Sequence, residues 1–75
     1  MKKYLIFENE CGLKVPIIWS LNDTIVKLEN KYKKAMNITG DNIIFEFDEY
    51  LWHNYSLKYL WNLNNILIYV KVKNN

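Results

Sequence analysis

The chain contains one histidine, His53, and one cysteine, Cys11. Nucleophilic catalysis needs a nucleophile, a base within hydrogen-bond reach and an acid to orient that base. No serine or cysteine stands near His53 in such a pattern, so His53 reads as a loop residue. Cys11 precedes Gly12 where a turn is expected, and reads as a small turn residue rather than a reactive thiol. Glu46, Asp48 and Glu49 form a compact acidic group. Its spacing is neither that of a calcium loop nor that of a paired-carboxylate hydrolase, which leaves a solvated turn. Lys31, Lys33 and Lys34 flank Tyr32, a mixture that nucleic-acid binders use. Tyr32 falls on an apolar helical stripe, however, and the lysines on the outer face. No catalytic residue, metal site or cofactor is expected, and no enzyme activity.

The aromatic residues are more informative. Three Trp, six Tyr and three Phe are too many for the interior of 75 residues. Leu5, Phe7, Val15, Ile17, Ile25, Leu28, Phe45, Leu57 and Ile68 already supply a core. Some of Tyr4, Tyr50, Trp52, Tyr55, Tyr59, Trp61 and Tyr69 must therefore reach the surface. Exposed Tyr and Trp dominate binding hot spots, while rings at a core edge bury their carbon and leave a hydroxyl in water. Both readings remain open.

The chain's length and composition narrow the remaining classes. Seventy-five residues make one small domain, residues 1–75, and such a chain buries only about 60–65% of its extended surface. A 51% hydrophobic composition with 24% charged residues belongs to a folded domain rather than a disordered one. No apolar run approaches the length of a membrane span. One cysteine forbids an internal disulfide, and an intracellular, reducing compartment (cytoplasm or nucleus) is expected. A net charge of +2 is too small to attract nucleic acid or lipid. All ten basic residues are lysine, beside eleven asparagines, a bias of A/T-rich codons rather than of function.

The elements follow from periodicity. Leu5 and Phe7 alternate with Tyr4, Ile6 and Glu8 as a strand, and Gly12 supplies the positive φ of a hairpin turn. Val15, Ile17 and Trp19 alternate in a second strand, which Pro16 confines to a sheet edge. Ser20 to Thr24 is rich in capping residues, so a helix begins at about Thr24 or Ile25. Its stripe is Ile25, Leu28, Tyr32 and Ala35–Met36, with Glu29 and Lys33 spaced for an i,i+4 pair and Asn37 and Gly40 ending it. Ile43, Phe45 and Phe47 form a third strand, Asp48-Glu49 a turn, and Tyr50-Leu51-Trp52 a short fourth strand. His53 to Tyr55 is loop, Ser56 caps a single helical turn, and Ile66, Ile68, Val70 and Val72 alternate in a last strand. That strand can lie parallel to the first, and the helix must cover one face of the sheet.

This order resembles the ubiquitin β-grasp over nearly the whole chain. The resemblance rests on the Gly12 hairpin, Asn22-Asp23-Thr24-Ile25 opening the helix, Ile38 to Asp41 after it, and Ser56-Leu57-Lys58-Tyr59 as the short helix. From Gly12 to Phe47 the register needs no gap. It implies an α+β fold with a mixed four- to five-stranded sheet and one long helix packed on one face. Modifiers and sulfur carriers of the family end in Gly-Gly, whereas this chain ends Lys71-Val72-Lys73-Asn74-Asn75. The expectation is a non-conjugating ubiquitin-like protein or domain acting as a protein–protein interaction module. The alternatives are a modifier or sulfur carrier whose diglycine lies beyond this chain, or a relative of the spliceosomal ubiquitin-like protein that lacks diglycine. Gly12-Leu13-Lys14-Val15 and Asp23 resemble residues of that relative.

By the same resemblance, the family's apolar recognition patch falls at Glu46, Glu10, Tyr69 and Lys71. Glu46 and Tyr69 should point outward from one sheet face, with Tyr50 beside the turn next to them and Glu10 at the border. Such a surface suits a protein partner with a lysine or arginine beside an apolar anchor. The alternative surface is the one around Asp23. Incubated with an activating enzyme and ATP, the 75-residue chain should give neither a terminal adenylate nor a thioester. Intact-mass detection of either adduct would overturn the non-conjugating reading.

Overall fold

The computed structural model describes residues 3–64 and 66–73. The terminal Asn74 and Asn75, where the family's glycines would fall, lie outside the described residues. Strand β1 (Lys3–Glu8) turns through Asn9–Gly12 into β2 (Lys14–Trp19). Gly12 holds φ +85°, and the Asn9 side chain accepts from the backbone N–H groups of Cys11 and Leu13 at 3.0 Å. Helix α1 (Ile25–Ala35) opens on Thr24, whose hydroxyl accepts from Lys27 N, and satisfies one of the amides a helix start leaves unpaired. At its far end Asn37 takes φ +56°. There Ile38 N donates to Lys33 O and Asn37 N to Lys34 O, the paired closure that lets a helix stop.

Strands β3 (Ile43–Phe47) and β4 (Tyr50–Leu51) are joined by the two-residue turn Asp48-Glu49. A 3-10 turn (Trp52–Asn54), the short helix α2 (Leu57–Trp61) and strand β5 (Leu67–Val72) follow. The sheet order is β2-β1-β5-β3-β4, with β1 and β5 parallel and every other pair antiparallel. This is an α+β fold with a mixed five-stranded sheet and one long helix on one face, the arrangement of a β-grasp. Pro16 does lie on an edge strand, where its missing N–H breaks no ladder.

Leu5, Phe7, Ile17, Trp19, Phe45, Ile68 and Val70 line the core on the sheet side, and Leu28 and Tyr32 meet them from the helix. Phe7 is the hub of the aromatic packing. Its ring lies 5.0 Å from Tyr32 and 5.8 Å from both Phe45 and Trp52.

Three expectations are corrected. Trp52 is not in the fourth strand, because β4 stops at Leu51, and its indole is 0% exposed, while Tyr4, Tyr50, Tyr59 and Tyr69 are the aromatics that reach the surface. The Trp52 Nε1–H donates to Glu29 Oε2 at 2.7 Å. Glu29 and Lys33 therefore form no i,i+4 pair, and Lys33 instead reaches Asp41 at 3.1 Å. His53 and Asn54 belong to the 3-10 turn rather than to irregular loop. Val15, Ile25 and Leu57 are partly buried at the core's margin.

Leu28 sits at the centre of the stripe and is fully buried. Leu28→Ala should cost about 2–5 kcal/mol in denaturant unfolding. A loss below about 0.5 kcal/mol would mean that the helix does not pack through this residue.

Candidate functional site

Strand alternation sends odd-numbered residues of β1 into the core and even-numbered ones to the opposite face. That outer face carries no helix among the described residues. Cross-strand pairing lays one row straight across it: Lys14 opposite Glu8, Glu8 beside Tyr69, Tyr69 opposite Glu46, and Glu46 opposite Leu51. Below this row Tyr4 pairs with Ile18, and Ile6 with both Pro16 and Leu67. Tyr4 is 62% exposed and Tyr69 45%, with Ile18 and Leu51 also open.

Tyr69 forms the ridge between two shallow clefts. One, of about 400 Å³, is lined on the hairpin side by Glu8, Glu10 and Gly12. The other, of about 360 Å³, is lined by Glu46, Asp48, Glu49 and Lys71. The structure thus brings Glu46 and Tyr69 together and sets Glu10 at their border.

Their charges are partly engaged. Lys71 Nζ lies 2.8 Å from Glu46 Oε1. That hydrogen bond, with the charge of Glu46 and the more distant Glu10 and Glu49, raises the ammonium's pKa above its ordinary value. Glu10 Oε1 accepts from Val72 N at 2.6 Å and pins the first hairpin to the end of β5.

Tyr50 is not brought into this group. It pairs with Phe47, whose ring packs on the core side, so its side chain belongs to the helix-bearing side. There Tyr55 meets Phe47 edge-on at 5.1 Å and stacks on Tyr59 at 5.7 Å. Asp23, the alternative site, is turned inward, with a side chain only 7% exposed. Its Oδ2 accepts from Ser20 N at 2.8 Å, and its Oδ1 lies 3.2 Å from Lys27 and 3.9 Å from Lys31.

His53 and Cys11 are both exposed, and among the described residues no three His, Cys, Asp or Glu side chains are grouped to hold a metal ion. No helix among them is long and apolar enough to cross a membrane.

Sequence reasoning missed the apolar breadth of the outer face. The signal was present in Tyr4-Leu5-Ile6-Phe7 and Ile17-Ile18, where both phases of the alternation are apolar. A strand with one solvated face ordinarily places polar residues on the outward phase. Compared with known proteins, the chain matches no family model and no curated sequence.

The geometry of Asp23 has a consequence for stability. The Ser20 N–H chiefly, with Lys27 and Lys31, holds its carboxyl below the ordinary 3.8. The unfolded chain therefore binds this proton more tightly, and the stabilisation is complete above the unfolded value and lost as pH falls through the folded one. Asp23→Asn should be destabilised relative to the parent near neutrality, with the gap closing as pH is lowered from about 5. Chemical denaturation across a pH series checks this, and a gap independent of pH would show that the carboxylate's charge is not what matters.

Proposed function

We propose that this chain is a ubiquitin-like interaction module that is not itself conjugated, and that it binds a protein partner through the outer face of its sheet. One observation carries the reading: Tyr4, Ile18, Tyr69 and Leu51 stand open on a face that no described element covers. Scattered exposed apolar residues are ordinary, but here Ile18, Tyr4 and Tyr69 are linked across β2, β1 and β5 through Ile6, Pro16 and Leu67, with Leu51 set beyond Glu46. Tyrosine suits the centre of such a face, since a rigid ring offers large contact area at small entropic cost.

The partner that fits presents an apolar anchor to Tyr69 and Leu67 and a basic group to the cleft holding Glu46 and Glu49. Because Lys71 already pairs with Glu46, the aromatic surface supplies most of the affinity, and the carboxylates supply register and steering. Asp23 is the weaker second surface, because its carboxylate is committed to Ser20 and two lysines.

The test compares partner capture by the parent chain, Tyr69→Ala and Asp23→Asn, followed by affinity measurement on the recovered partner. Tyr69→Ala should weaken binding by about 30-fold, or roughly 2 kcal/mol, with the fold intact. Equal binding by Tyr69→Ala together with loss in Asp23→Asn would transfer the site to the helix entrance.

A further inference from the structure

A second aromatic surface lies on the other side of the β3–β4 hairpin. Phe47, Tyr50, Tyr55 and Tyr59 converge there from β3, β4, the loop before α2, and α2 itself. The Tyr55 and Tyr59 rings stack with planes 20° apart, and Phe47 closes edge-on at 78°. Tyr59 is 52% exposed and Tyr50 64%, so ring faces remain in the open. Asp48 is exposed beside them and makes no ion pair among the described residues. Burial first, then the charge of Asp48 and the neighbouring Tyr59 and Tyr50 hydroxyls, raise the pKa of the Tyr55 phenol. Asp48 itself sits in the turn between the paired Phe47 and Tyr50, at the edge of this surface.

We propose that this tyrosine surface, with Asp48 at the border it shares with the outer-face cleft, binds an arginine side chain of a partner protein. An aromatic face is the negative pole of its quadrupole, and a free carboxylate beside it adds to the same potential. A cation therefore complements the site. Guanidinium fits better than ammonium because it is planar, weakly hydrated and forked, so it can lie flat on Tyr59 while donating to Asp48. The protein's own cations leave the site open. Lys58 lies on the same short helix, yet the cation–ring contact among the described residues is Lys3 over Trp61, two residues beyond Tyr59 on α2, and not over a ring of this group. A second copy of this chain cannot supply the occupant, because the sequence contains no arginine. Stacked rings also receive nucleobases, but Asp48 and Glu49 repel the phosphates that would accompany them.

The test is a titration of the isotopically labelled full chain, followed by amide and side-chain NMR. The probes are N-acetyl-arginine amide, its neutral isostere N-acetyl-citrulline amide, and an eight-nucleotide oligothymidylate. The arginine probe should shift the Phe47, Asp48, Tyr50, Tyr55 and Tyr59 amides together and move its own Cδ protons upfield by ring current. Citrulline should bind about three- to fivefold more weakly, as loss of a surface cation–ring contact implies. Tyr59→Ala and Asp48→Asn should each weaken the arginine probe to a similar degree, while Tyr59→Phe, which keeps the ring, should not. If Tyr59→Ala loses its dispersed spectrum, Asp48→Asn and the citrulline comparison still decide. Equal binding of citrulline, shifts confined to Glu46 and Tyr69, preferential binding of the oligothymidylate, or no localised shift would each overturn the proposal.

Discussion

A tryptophan fully removed from water carries an N–H that must find an acceptor or forfeit about 1–3 kcal/mol. Trp52 meets that demand with Glu29, 23 residues earlier on α1, and its indole stands between the helix and the strands at 5.8 Å from Phe7 and 6.0 Å from Phe45. The chain after β4 is thereby tied to the helix, and the strand cannot continue. What lies outside this junction follows from it. The β3–β4 hairpin is held at the edge of the sheet, and the segment leading to α2 carries Tyr55 and Tyr59 back beside Phe47. Trp19, equally buried, has no such acceptor. Its Nε1 is the buried side-chain polar atom left unpartnered among the described residues, and its ring meets Trp61 edge-on.

The helix also determines which sheet face is open. A single amphipathic helix covers one face, and α2 is too short to cover the other. The parallel contact of β1 with β5 places these two strands centrally, where sheets are ordinarily covered on both sides. Here their outer face keeps apolar residues and no helix covers it among the described residues. The central strands therefore explain both why Ile6 and Leu67 are apolar and why that surface is available to another molecule.

Much of this was legible in the sequence because it is local. Thr24 caps the helix, Asn37 ends it, Pro16 marks an edge and Gly12 turns the first hairpin, each through its own backbone chemistry. The crossover allowed the last strand to lie parallel beside the first, as it does. What escaped is non-local. Spacing matched Glu29 to Lys33, but an exposed i,i+4 pair is worth only about 0.3–0.5 kcal/mol, less than an unmet buried donor costs, and Trp52 took the carboxylate. Alternation extended the fourth strand to Trp52 for the same reason: nothing within that strand announces a partner on the helix. For the candidate site, the resemblance to the β-grasp put Glu46 and Tyr69 on one face, and both sit mid-strand, where alternation holds. The side to which Tyr50 turns depends instead on the two-residue phase of the Asp48-Glu49 turn.

That turn connects the two surfaces energetically as well as spatially. Asp48 at φ +52° and Glu49 at φ +71° occupy the left-handed region in succession. For side chains bearing a Cβ this costs roughly 1–2 kcal/mol per residue, least for aspartate. An Asn-Gly pair would close the same hairpin with less strain. It would also remove both carboxylates from the border where the outer sheet face meets the tyrosine surface. Since Glu46 is already neutralised by Lys71 and Asp23 is committed inside the fold, these two strained residues are the acidic groups of the β3–β4 hairpin that make no ion pair among the described residues. The left-handed backbone is the cost of holding unpaired negative charge beside exposed rings on both sides of one edge.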